Sequence, residues 1–81
     1  MKANVYVTLK REVLDPQGDA VRRALTTQGF EGIEKVRVGK LIEIELDTDD
    51  AATAEKELAT MCAKLLANPV IEDFRFEILE S

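Results

Sequence analysis

The side chains able to do chemistry are few in this chain. It has no histidine and no tryptophan, one cysteine (Cys62) and one serine, the terminal Ser81. Nucleophilic catalysis needs an activated side chain beside a base, and a zinc site needs several Cys or His at short spacing. Neither constellation can be assembled from these residues. Carboxylate pairs of the kind used in acid/base catalysis do occur, Glu43 with Glu45 and Asp49 with Asp50. Each has a plainer use, the first on a solvated strand face and the second at a helix start. Gly18, Gly29, Gly32 and Gly39 form neither a G-x-G-x-x-G loop nor a Walker loop, so no phosphate cradle is encoded. These absences direct attention to surfaces and partners.

The elements that carry such surfaces are legible from periodicity. Val5, Val7 and Leu9 alternate with Tyr6, Thr8 and Lys10, the period of a half-buried strand. Asp15-Pro16 offers a helix cap followed by proline at the first helical position, where its missing N–H is not needed. Ala20, Val21, Ala24 and Leu25 share one helical face, and Gly29 is placed to end that helix with Phe30 packing back beyond it. From Val36 to Leu46 the even positions are apolar apart from Lys40, while Lys35, Arg37, Leu41, Glu43 and Glu45 take the odd ones. A tight hairpin at Gly39-Lys40 would put Val36 on the face of Glu43 and scramble this register, so the spacing predicts one long strand bent at Gly39. Asp47-Thr48-Asp49-Asp50 supplies capping groups for a second helix, whose stripe is Ala51, Ala54, Leu58, Met61, Cys62 and Leu65. Cys62 reads as a small buried apolar residue within that stripe. Asn68-Pro69 stops the helix, and Phe74, Phe76 and Ile78 alternate with polar residues as a last strand.

The expected fold class is α+β: a two-layer, ferredoxin-like βαββαβ sandwich in which the two middle strands form one long strand bent at Gly39. Eighty-one residues, 46% hydrophobic, fit one domain over 1–81 with a modest core. A lone cysteine cannot form an internal disulfide, so association is the expected source of extra stability. No apolar leader is seen at Met1-Lys2-Ala3-Asn4 and no run approaches the roughly 18 apolar residues of a membrane span, so a soluble, cytoplasmic protein is expected. The net charge of −5 argues against a nucleic-acid binder. Residues 1–40 hold eight Lys/Arg against five Asp/Glu and residues 41–81 hold three against eleven, an asymmetry that suits protein docking or two solvated faces.

Val13-Leu14-Asp15-Pro16-Gln17-Gly18, Gly29-Phe30, Val36-Arg37-Val38-Gly39-Lys40 and Asn68-Pro69-Val70-Ile71-Glu72-Asp73 together resemble the small PurS subunits of phosphoribosylformylglycinamidine (FGAM) synthase, in order and over nearly the whole chain. The resemblance implies a non-catalytic adaptor in de novo purine synthesis that joins a glutaminase subunit to an ATP-dependent synthase subunit and helps enclose the path of ammonia. It further implies a ligase complex using ATP and Mg, with no cofactor bound by this chain, and a homo-dimer or tetramer. Asp15 and Gln17 match the family's first loop, and Arg37, Gly39 and Lys40 its strand segment. With Leu41 and Glu43 these form the expected partner or oligomer interface. Asp15 also reads as a helix cap, Arg37 and Lys40 as strand solvation, and Gly39 as the bend.

The odd face of the long strand runs from positive to negative. Two copies pairing antiparallel about residue 40 would set Lys35 opposite Glu45 and Arg37 opposite Glu43. Two other classes stay open at this point. A homo-oligomeric regulatory domain binding a small molecule would be stabilised by its ligand, and a stand-alone enzyme of acylphosphatase type would turn over alone.

Overall fold

A computed structural model describes residues 1–79, so Ser81 lies outside the described residues. The elements are β1 (Lys2–Leu9), α1 (Pro16–Thr27), β2 (Lys40–Glu45), α2 (Ala51–Met61), a π-helical turn (Cys62–Leu66) and β3 (Glu72–Leu79). The strands form an antiparallel sheet in the order β2-β1-β3. Central β1 is buried on one face through Ala3, Val5 and Val7, with Val5 opposite Ile42 on one side and Phe76 on the other. α2 and the π turn after it lie over that face and insert Leu58 and Cys62 among them, with Ile42, Ile44, Met61, Leu66, Phe76 and Ile78 packed around. Alternation along each strand thus sorts side chains as its period requires.

The α+β class and the order of elements agree with the ferredoxin-like expectation. The long strand does not form as one piece: only Lys40–Glu45 is strand, and 36–39 has no ladder among the described residues. A strand exists by its partners. β1 pairs with β2 only as far as Val7 opposite Lys40, beyond which the carbonyls of Leu9 and Lys10 accept from Arg37 and the Val38 N–H goes to Asp15.

Helix α1 starts and stops as the sequence dictates. Asp15 caps it by accepting from the Gly18 N–H at 2.9 Å, with Pro16 at the first position. At its end the Phe30 N–H donates to Leu25 O and the Gly29 N–H to Thr26 O, both at 3.1 Å, with Gly29 at φ 95°. This is the paired closure that glycine permits. Phe30 does not pack back, being 58% exposed. Nor does α1 pack on the sheet: Val21 is 40% exposed, and the molecule measures 48 × 29 × 14 Å. Its radius of gyration, 16.0 Å, exceeds the roughly 12 Å of a compact chain of this length.

α2 is capped by Asp50, which accepts from the Ala52 N–H at 3.1 Å and from the Thr53 hydroxyl at 2.8 Å. The π turn that follows donates the Ala67 N–H to Cys62 O at 3.1 Å. Its wider turn shifts the phase of the stripe. Leu65, expected on the buried face, is 83% exposed, and Leu66 and Ala67 face the core instead.

Candidate functional site

The interface residues expected from the sequence converge at the end of the sheet where β1 leaves and β2 enters. Asp15 is buried and both its oxygens are used: Oδ1 accepts from the Gly18 N–H and Oδ2 from the Val38 N–H, the latter at 2.8 Å. Next to it the Arg37 guanidinium donates to Val13 O (3.1 Å) through Nη1, and to Lys10 O (2.8 Å) and Leu9 O (3.4 Å) through Nη2. One carboxylate and one guanidinium therefore clamp the loop before α1 to the segment before β2. These are charge-assisted bonds to backbone groups that would otherwise be desolvated without partners. Arg37, expected on a solvated strand face or at a partner contact, is engaged within its own chain. Of the charge pairs expected in an antiparallel pairing about residue 40, Arg37 is thus bound within its own chain and Glu45 already meets Lys2 at 3.7 Å.

Gly39 was expected for a bend, but its φ is not positive. What excludes a side chain is proximity, because a Cβ there would lie 2.7 Å from Val7 O. Lys40 Nζ reaches past the end of β1 to Glu72 Oε2 at 3.7 Å, while Glu72 Oε1 accepts from the Asn68 N–H at 2.7 Å. Gln17, Val38, Gly39, Lys40 and Glu72 border a shallow cleft of about 170 Å³. Leu41 and Glu43 follow along β2 on the opposite face of the sheet, exposed. The structure thus gathers Asp15, Gln17, Arg37, Gly39 and Lys40 at one sheet end.

The Val38 and Gly18 N–H groups, with the charge of Arg37 adding to them, hold the Asp15 carboxyl below its ordinary value of 3.8. A group whose folded pKa is depressed contributes stability above its unfolded pKa and loses it as pH falls through the folded value. Thermal melts should show Asp15→Asn less stable than the unaltered chain at neutral pH. The gap should begin to narrow below pH about 4, where the unfolded carboxyl protonates, and close only once pH has fallen through the still lower folded value. A gap independent of pH would mean that charge has no part in the clamp.

Cys62 is fully buried, and burial pushes its thiol up, away from the reactive thiolate. It lines a cleft of about 350 Å³ with Ala63, Ala67, Pro69 and Phe74, rimmed by the Lys10–Asp73 pair at 3.6 Å. Among the described residues no group of three or more His, Cys, Asp or Glu is placed to hold a metal ion. Cys62→Ala should cost about 1 kcal/mol in denaturant unfolding and leave function intact. Loss of function in a folded variant would assign the thiol a chemical role.

Sequence periodicity missed one cluster on the face of the sheet away from α2. Arg75 lies over the Tyr6 ring, 3.9 Å from its centroid, and the Tyr6 hydroxyl donates to Glu77 at 2.8 Å. Alternation places all three on outward parity. Which strands are neighbours, and so which side chains meet, is set by the β1–β3 register, opposing Tyr6 to Arg75.

A small α+β chain whose polar side chains brace loops and cap helices, and whose exposed apolar residues lie on a sheet face and a detached helix, is of the interaction-subunit class. The family model for PurS, phosphoribosylformylglycinamidine (FGAM) synthase, matches residues 2–80. The chain belongs to the PurS family. A phosphoribosylformylglycinamidine synthase subunit PurS from Synechocystis sp. is 53% identical over 74 residues, spanning 91% of this chain and 74% of that protein. The crystal structure of Methanocaldococcus jannaschii PurS, one of the subunits of formylglycinamide ribonucleotide amidotransferase in the purine biosynthetic pathway, superposes with a TM-score of 0.88 at 38% identity, covering 99% of this chain and 96% of that one. A chain in the structure of PurLQS from Thermotoga maritima gives 0.88 at 30% identity, covering 96% and 95%.

Proposed function

We propose that this chain is the single-domain small adaptor subunit of FGAM synthase, bridging the glutaminase and ATP-dependent synthase subunits and supporting ammonia transfer in de novo purine biosynthesis. The observation that carries the reading is the likeness, over 96% of the chain, to a chain of the Thermotoga maritima PurLQS structure. The reaction's ATP and magnesium then belong to the synthase subunit. Ammonia released into water is protonated and lost as a nucleophile, so a subunit that seals the docking of two others serves the reaction without touching a reacting atom. A cytoplasmic location is part of the same proposal, in keeping with a biosynthetic pathway. No helix among the described residues is long and apolar enough to cross a membrane.

Self-association belongs to the same reading. β2 pairs with β1 on one side only and presents its other edge unpaired, beside the ladder-less segment 36–39. An unpaired edge is a template for a second strand, and α1 offers Val21 and Leu25 with no partner layer among the described residues. A homo-dimer or tetramer built through this edge covers both. The β2 backbone from Lys40 onward is its proposed contact, presented by the clamp of Asp15, Arg37 and Gly39 with Gln17 at its rim, while Leu41 and Glu43 project from the sheet face and are left for another partner.

Sedimentation of the chain mixed with separately purified glutaminase and synthase subunits tests the proposal. A species containing all three, absent when this chain is omitted, is expected. Two large subunits that join equally well without it would refute the bridging role.

A further inference from the structure

The face of the sheet turned away from α2 is uncovered. Its middle rung is Leu41, Tyr6 and Arg75 on β2, β1 and β3. Leu41 is 54% exposed, and Tyr6 is pinned at both ends, by the Arg75 guanidinium over its ring and by the Glu77 carboxylate at its hydroxyl. Tyr and Arg are the side chains that most often anchor protein interfaces, and anchors held before binding lose little rotamer freedom on docking. The next rung reads Glu43, Asn4 and Glu77. Beyond it Lys2 is already paired with Glu45 at 3.7 Å. Across the face four carboxylates, Glu43, Glu45, Asp73 and Glu77, stand against three cations, Lys2, Lys10 and Arg75, and Lys10 is paired with Asp73 at 3.6 Å, which leaves an excess of one negative charge. Glu43 has no ion-pair partner among the described residues.

We propose that this open face, centred on the Leu41–Tyr6–Arg75 rung, docks a partner subunit whose contact patch is cationic and carries an apolar side chain at its centre. The proposal rests on the adaptor reading and names the surface that serves it. A second copy laid face to face would oppose two patches of the same net negative sign, and a nucleic-acid backbone would be repelled for the same reason. Pairing of copies through the β2 edge uses backbone groups in the plane of the sheet and leaves this face free.

The test measures binding of the full chain to isolated synthase and glutaminase subunits, across a range of salt. The chains compared are the unaltered one, Leu41→Asp, the double variant Glu43→Lys with Glu77→Lys, and Glu57→Lys on the exposed side of α2 as a control. Circular dichroism and sedimentation establish that each is folded and self-associates normally. Leu41→Asp and the double variant should weaken binding to one of the two subunits by about ten-fold or more, the double variant with a flattened salt dependence, while Glu57→Lys stays within about two-fold. Should Leu41→Asp unfold, the double variant, altered only at exposed positions, decides. Folded variants that bind both subunits within about two-fold of the unaltered chain would overturn the docking surface and leave the adaptor reading standing. An unaltered chain that binds neither subunit would overturn the adaptor reading itself.

Discussion

Replacing Gly18 by alanine is expected to unfasten α1 from the segment before β2 and to lower stability by about 2 kcal/mol. At an ordinary helical position the same change would stabilise by up to about 1 kcal/mol, because alanine is the better helix former. Gly18 is not an ordinary position. It is buried, and a methyl group there would run into the Val36 carbonyl oxygen and lie 2.9 Å from Asp15 Oδ2. The backbone at 36 must move, and the bond from the Val38 N–H to Asp15 goes with it. Hydrogen exchange should show the Val38 amide losing protection while the centre of β1, around Val5, keeps its own. A more stable variant would contradict the close approach of helix and loop.

Leu58→Ala should cost about 3 kcal/mol, and Leu65→Ala less than about 0.5 kcal/mol. Both leucines lie on one stripe if α2 runs as a regular helix to its end. Leu58 is fully buried among Val5, Val7 and Cys62, whereas the π turn leaves Leu65 83% exposed. A chain of this length has a total stability of roughly 4–12 kcal/mol, so the first change removes a large share of it. Urea unfolding of both variants reads the difference directly. Equal losses would mean that the helix continues without its π turn. Partner subunits that bind only the folded form should mask part of the Leu58→Ala defect by mass action.

Local chemistry made much of this architecture legible. The alternation of Val5 and Val7 with Tyr6 and Thr8 identified both faces of β1, and Asp15, Pro16 and Gly29 marked the ends of α1 through caps that depend on few residues. The even positions of β2 were read correctly because strand parity survives whether or not the ladder continues. Whether it continues is tertiary: 36–39 lacks a ladder because Arg37 and Val38 are drawn to groups more than twenty residues away. The same distance hid the clamp. Asp15 read as a helix cap, which it is, but its second oxygen bonds a segment that no spacing rule links to it. Leu65 was misplaced by a helix widening that leaves no periodic trace in apolar residues. The stripe of α1 was real, yet amphipathicity states that a helix will be covered and not by what.

Turnover of reconstituted FGAM synthase, driven by glutamine or by free ammonia and with or without this chain, tests most directly whether the chain couples two other subunits without doing chemistry itself. The chain alone should show no glutaminase, ATPase or synthase activity. Glutamine-driven turnover should fall sharply when it is omitted, while ammonia-driven turnover by the synthase subunit changes much less, because free ammonia needs no sealed path. Equal glutamine-driven rates with and without the chain would contradict the adaptor role.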